Sequence, residues 1–73
     1  MLSLFGKEAL WQLFAKGPTW DGNIVSKEGR EELIDFKLAV RHEGWTILTL
    51  NGLKRALSLD MDHRKDAEDN HHV

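Results

Sequence analysis

Hydrophobic and polar residues recur along this chain with two different periods, which divide it into predicted elements. Residues 2–16 contain no proline or β-branched residue and predict a first helix, which Gly17 and Pro18 terminate. Gly6 lies on its core-facing side, where another helix can approach closely. The other residues expected on that side are Leu2, Leu10, Leu13 and Phe14.

A second helix is predicted to follow Ser26, whose hydroxyl suits an N-cap. Acidic side chains early in this helix complement the positive end of its dipole. Between the two helices, the Asp21–Gly22 pair indicates a turn, and Ile24–Val25 are expected to add a short strand. The buried face of the second helix is expected to comprise Leu33, Ile34, Phe36 and Leu38.

After the second helix the period changes from 3.6 to 2, which predicts a β-hairpin with its turn at Glu43–Gly44. Val40 and Ile47 fall in phase with Leu38 and Trp45. We therefore expect these four side chains to share one face of the hairpin and to point toward the helices.

Thr49 is expected to cap a last helix, along which Leu53, Ala56 and Leu57 recur at helical spacing. Residues 62–73 have no apolar face and are predicted to form a disordered polar tail. The chain is therefore interpreted as one α+β domain over residues 1–61, in the order helix, short strand, helix, hairpin, helix.

The segment from the second helix onward resembles the recognition helix and wing of winged-helix domains. In that family an aliphatic helix leads into a strand ending in Arg, a Gly-containing wing follows, and a Leu-Thr pair opens the closing helix. With residues 19–22, the chain also resembles short phage and prophage proteins. The positions that match the winged-helix pattern are Leu33, Leu38, Ala39, Val40, Arg41, Gly44, Leu48, Thr49, Gly52 and Ala56.

The chain departs from the winged-helix pattern at two places. The family has another helix between the first helix and the recognition helix, whereas only residues 17–25 separate them here, so the helix-turn-helix is incomplete. The family also often has Gly before the second strand, in a left-handed conformation. Lys37 occupies that place and would be mildly strained there.

A DNA-binding regulator is the alternative that this resemblance implies. Lys27 and Arg30 lie near the start of the second helix, and Arg41 and His42 lie in the wing. However, four acidic residues share that helix, and the chain has a net charge of −2. Because DNA binding depends on basic patches that neutralise phosphates, we favour other functions.

Catalysis and cofactor binding find little support in the composition. The chain has no Cys and no Tyr, and no glycine-rich phosphate loop. Asp60, Asp62 and His63, with the His71–His72 pair, form only a loose acidic and histidine group near the end of the chain. We therefore predict a chain that is not an enzyme and has no metal site, cofactor or small-molecule substrate.

The first helix carries a second apolar stripe, formed by Leu4, Trp11 and Ala15, which a core this small has no obvious use for. With Trp20, these residues are the predicted protein interface. The absence of a long apolar run excludes a membrane span, and the absence of Cys fits the cytoplasm. We expect a cytoplasmic inhibitor or adaptor that docks on a protein partner or forms a homodimer.

Overall fold

A computed structural model describes residues 1–59, and it confirms the predicted α+β fold with its order of elements. Three helices pack on a three-stranded antiparallel sheet. The last helix, α3, begins at residue 50 and continues to the end of the described part. The other elements are α1 (Leu4–Lys16), β1 (Thr19–Trp20), a short 3-10 turn (Asp21–Asn23), α2 (Lys27–Asp35), β2 (Ala39–His42) and β3 (Trp45–Leu48). The predicted polar tail lies outside the described residues.

The three N-caps share one sequence pattern, a Ser or Thr followed three residues later by Gly. The hydroxyl oxygens of Ser3, Ser26 and Thr49 accept hydrogen bonds from the N–H groups of these glycines, at 3.3, 3.0 and 3.0 Å. The glycines concerned are Gly6, Gly29 and Gly52, and all three are buried.

Each of these glycines lies where a helix touches a neighbouring element. A Cβ at residue 29 would overlap the carbonyl oxygen of Phe5, and one at residue 52 would overlap that of Leu38. A Cβ at Gly6 would lie 2.8 Å from a carboxylate oxygen of Glu32. The predicted close approach at Gly6 is therefore confirmed.

The core lies between α1, α2 and the inner face of the sheet. The predicted core-facing side of α1 is confirmed for Leu2, Leu10 and Leu13, and Phe14 is half-buried against them. The remaining core residues come from α2 and the segments that follow it, and they are Leu33, Leu38, Ala39 and Ala56, together with Ala9 of α1.

The start of α1 is tied to α2 by Glu32. Its carboxylate accepts hydrogen bonds from the hydroxyl of Ser3 at 2.6 Å and from the backbone N–H of Ser3 at 2.5 Å. These bonds stabilise the ionised carboxylate and hold the pKa of Glu32 below its usual value.

The end of α2 is a Schellman motif. The N–H of Leu38 donates to the carbonyl of Leu33 at 2.8 Å, and that of Lys37 donates to Ile34 at 3.0 Å. Lys37 has a φ of 63°, so the predicted left-handed conformation is confirmed. Phe36, predicted to be buried, is the C-cap residue and is exposed, because the helix ends before its side chain reaches the core.

The short strand β1 lies at Thr19–Trp20 and not at the predicted Ile24–Val25. The sheet order is β1-β3-β2, with Trp20 opposite Trp45. The side-chain amide of Gln12 explains the difference. It accepts a hydrogen bond from the N–H of Val25 at 2.7 Å, and so holds this part of the backbone against α1 instead of the sheet.

The hairpin turns at Glu43–Gly44 as predicted, and Val40 and Ile47, which lie opposite each other, share one face, but the predicted direction of that face is wrong. Val40 is 50% exposed, and Ile47 and Trp45 are also exposed on the outer face, whereas Ala39 is 1% exposed. The reason is that Leu38 belongs to the helix cap. The extended chain begins at Ala39, so the alternation starts one residue later than the sequence suggests.

The orientation of the hairpin predicts losses of stability of different size for substitutions at two adjacent residues. Val40→Asp should lower the free energy of unfolding by only about 1 kcal/mol. Asp is a poorer strand residue than Val, but its carboxylate stays in water at this exposed position. Ala39→Asp should lower it by several kcal/mol, because it buries an unpaired charge. Urea unfolding of the two variants measures both effects, and equal losses would contradict this orientation.

Lys37 offers a route to a more stable chain. Lys37→Gly should raise the free energy of unfolding by about 0.5–1 kcal/mol, because glycine adopts a positive φ without the steric cost of a Cβ. Lys37→Ala keeps the Cβ and serves as the matched control, which should gain much less. The comparison requires thermal or urea unfolding at one pH, and an equal gain from alanine would exclude relief of backbone strain.

Glu32 should make the stability of the chain dependent on pH. Because its pKa is lowered in the folded state, its contribution is complete above the pKa of an unfolded glutamate, about 4.3, and is lost as the pH falls through the lowered value. Glu32→Gln should therefore flatten the fall in stability in this acidic range. Urea titrations at successive pH values measure this slope, and an unchanged slope in Glu32→Gln would contradict the stabilising role of its bonds to Ser3.

Candidate functional site: an apolar face on the first helix

The side of α1 opposite the core carries the second apolar stripe, which we call the outer stripe (Leu4, Trp11 and Ala15). Leu4 is 69% exposed, Trp11 is 37% exposed, and Ala15 is also exposed. The seven-residue and four-residue spacings bring the three side chains onto one face of the helix. The same helix buries Leu10 and Leu13 on its other side, so its two stripes have different environments.

An open cavity of about 490 Å³ lies beside the outer stripe. Its walls are mainly apolar, with charged groups at both ends of the α1 segment that borders it. Val25 reaches it from the loop before α2. The lining residues are Glu8, Trp11, Gln12, Ala15, Lys16 and Val25.

Gln12 fixes Val25 beside the outer stripe. Besides accepting from the N–H of Val25, its amide donates to the carbonyl of Asn23 at 2.6 Å. Val25 is exposed and enlarges the apolar face. Sequence reasoning missed this role because Ile24–Val25 suggested a strand, and a single Gln on a helix gives no local signal that it binds a distant backbone.

The indole of Trp11 packs edge-on against Phe14, with ring centroids 5.7 Å apart and planes at 66°. Phe14 in turn packs against the core. Contact with Phe14 therefore holds the indole ring of Trp11 in place, while part of the ring surface stays in contact with water. A large, partly fixed aromatic side chain of this kind is well suited to binding a protein surface.

Trp20, the fourth predicted interface residue, belongs to a different surface. It contacts Trp45 across β1 and β3, with ring centroids 5.5 Å apart, and both lie on the exposed outer face of the sheet. The two surfaces meet at Gln12 and Lys16, which line both the cavity beside the outer stripe and a second cavity of about 310 Å³ beside Trp20.

Two of the residues proposed for DNA binding, Arg30 and Arg41, lie together at Asp21. Arg30 and Arg41 both bind Asp21, with Arg30 Nη1 and Arg41 Nε at 3.2 and 2.9 Å from the same carboxylate oxygen. Only 12% of the Arg30 side chain is exposed. The hydrogen bonds from Arg41 are the main cause that lowers the pKa of Asp21, and Asp21 in turn raises the pKa of Arg41.

The other two candidates for DNA binding are exposed. His42 lies in the wing, with its Nε2 3.9 Å from a carboxylate oxygen of Glu43, and Lys27 is at the start of α2. Lys27, Arg30 and Arg41 are all near enough to Asp21 to lower its pKa, with Arg41 the main cause, so the structure brings three of the four basic residues around a carboxylate that neutralises part of their charge.

Within residues 1–59, no three His, Asp or Glu side chains lie close enough together to hold a metal ion, and no helix is long and apolar enough to cross a membrane. The loose group of acidic and histidine residues at positions 60–72 lies outside the described residues.

Comparisons of this chain with protein-family models, with curated proteins and with solved structures found no match. The resemblance to winged-helix domains and to short phage and prophage proteins therefore stays a prediction from the sequence.

Proposed function

We propose that this chain is a non-enzymatic interaction module that docks on a protein partner or on a second copy of itself through the outer stripe. The observation that supports this most directly is the exposure of Leu4 and Trp11 on the side of α1 opposite a complete core. Exposed apolar side chains that share one face of an element are typical of interaction surfaces.

The surface left exposed on these side chains is large enough to matter energetically. An aromatic side chain presents about 150–250 Å² when fully exposed, and apolar burial contributes about 25 cal/mol per Å². Burying the remaining surface of Trp11 and of Leu4 would thus contribute a few kcal/mol before the cost of association. The support of Trp11 by Phe14 lowers that cost, because the ring has little freedom to lose.

The proposed biological setting follows the resemblance to short phage and prophage proteins. In this proposal the module acts in the cytoplasm as an inhibitor or adaptor of a protein. The absence of Cys from the chain fits a reducing compartment. Its role would depend on occupying a surface of the partner and would require no chemical step.

The ion pairs of Asp21 weigh against DNA recognition. Asp21 already neutralises part of the charge of Arg30 and Arg41, and its carboxylate would repel a phosphate bound beside them. Contact of these arginines with DNA therefore gains less than contact of free arginines. A DNA-binding regulator is therefore the second candidate, and the test below includes it.

Trp11→Glu should abolish association and leave the fold intact, because the side chain is partly exposed and the core lies on the other side of α1. Phe36→Glu is the matched control, since it replaces another exposed aromatic residue away from the outer stripe. Sedimentation velocity measures self-association. Affinity capture from a host lysate measures partner binding, followed by titration of the purified partner.

Three results would count against this function. One is a Trp11→Glu chain that loses its circular dichroism spectrum, which would make Trp11 a core residue. Another is equal loss of association in Phe36→Glu. The third is sequence-dependent binding to duplex DNA at about 150 mM salt that disappears in Arg30→Ala, which would favour the DNA-binding regulator.

A further inference from the structure

We propose that the occupant of the outer stripe is a second copy of this chain, with the two α1 helices antiparallel around a twofold axis near Gln12. This inference rests on the proposed function, because it assumes that the outer stripe is an interface. The arrangement follows from the charges that flank the outer stripe and from the sizes of its side chains.

The charges are placed symmetrically about Gln12. Glu8 precedes it by four residues, Lys16 follows it by four, and both line the cavity on the same flank of the outer stripe. Within residues 1–59, neither side chain forms an ion pair, unlike Asp21 or Glu31. When two antiparallel helices pack about a twofold axis, each flank of one helix faces the same flank of the other helix. The residues of the two flanks run in opposite directions, so a residue four positions before the centre faces one four positions after it. Glu8 then faces Lys16 of the second copy, and the pair occurs twice.

The apolar side chains fit the same arrangement. In antiparallel helices centred on Gln12, Trp11 of the second copy lies at the height of residue 13, midway between Trp11 and Ala15 of the first copy. The two indole rings therefore meet near the twofold axis, and the small side chain of Ala15 leaves room for them. Val25, held at Gln12 by the hydrogen bond from its N–H, lies near the centre of the contact, where it approaches its own copy.

A parallel arrangement would use different charges. About a twofold axis parallel to the helices, one flank meets the opposite flank at the same height. Lys7 lies about 100° around the helix from Glu8, on the other flank of the outer stripe, so Glu8 would face Lys7. Lys16 would then have no acidic neighbour from α1. Lys7 therefore provides a control that separates the two orientations.

The remainder of the chain is a poor alternative occupant. Residues 60–73 contain only three apolar residues among fourteen, and these are Met61, Ala67 and Val73. A segment of this composition offers little to an apolar stripe that includes a tryptophan and a leucine. A second copy instead supplies the same apolar groups and the complementary charges together.

The contact is short, so the dimer should be weak and dependent on concentration. An α1 helix of 13 residues is about 20 Å long, which gives an interface at the small end of the range for specific complexes. We expect a dissociation constant of about 1–100 μM, and a stronger effect of charge at low ionic strength.

Charge reversal in the full chain tests this dimer by sedimentation velocity at about 5–500 μM and low salt. Glu8→Lys and Lys16→Glu should each weaken the dimer roughly fivefold, because each replaces two attractions with two repulsions. The double variant should return to within about twofold of the wild type, since both pairs are restored in reverse. Lys7→Glu should leave the dimer unchanged.

Several outcomes would overturn the proposal. A wild-type chain that is monomeric at every concentration excludes the dimer. If Lys7→Glu weakens the dimer and Lys16→Glu does not, the helices are parallel. If the double variant is not rescued, these charges do not face one another. Circular dichroism of each variant confirms that the exposed substitutions leave the fold unchanged.

Partner capture distinguishes failure of the dimer from failure of the proposed function. A monomeric wild type that binds a purified partner through Trp11 excludes the dimer and supports docking on another protein. A chain that neither dimerises nor loses partner binding in Trp11→Glu contradicts both proposals.

Discussion

The contact of each helix's first turn with a neighbouring backbone is the constraint on which this fold depends. Gly29 brings the start of α2 against the carbonyl of Phe5 in α1, and Gly52 brings the start of α3 against the carbonyl of Leu38. A methyl group at either position would force the elements apart. With so few residues in the core, such separation would expose Leu33 and Ala56, which close the core between these elements. In this small chain, the positions of these two glycines therefore determine how closely the helices pack against their neighbours.

Gly6 and Gly52 also occupy the helix position at which a Glu or Gln side chain often completes the N-cap by binding the backbone N–H of the capping residue. In this chain, neighbouring elements replace that missing side chain. Glu32 of α2 accepts from the N–H of Ser3, and the carbonyl of Leu38 accepts from the N–H of Thr49. The glycine that allows the close approach lacks a side chain to accept the N–H of the N-cap residue, and an acceptor from the neighbouring element takes its place. The starts of these helices therefore depend on the assembled fold.

Local signals in the sequence were sufficient for much of this structure. The caps at Ser26 and Thr49 and the two stripes of α1 follow from residue types and spacing, whereas the left-handed conformation of Lys37 was implied by the resemblance to winged-helix domains. The failures have long-range causes. The direction of the hairpin depends on Leu38 packing as part of a helix cap, and the position of β1 depends on Gln12 binding a loop 13 residues away. For the candidate site, hydrophobic periodicity identified the outer stripe. No sequence pattern predicts that Asp21 binds both Arg30 and Arg41, or that Val25 extends the apolar face.

The bond between Glu32 and Ser3 has a consequence for the order in which the chain assembles. It joins residues 29 positions apart, whereas the Schellman motif and the hairpin turn form between residues close in sequence. Closing a short loop costs less entropy than closing a long one. We therefore expect α2, its cap and the hairpin to form first, and α1 to complete its N-cap only when it docks on them. The helix that presents the outer stripe would then be the last to become ordered during folding.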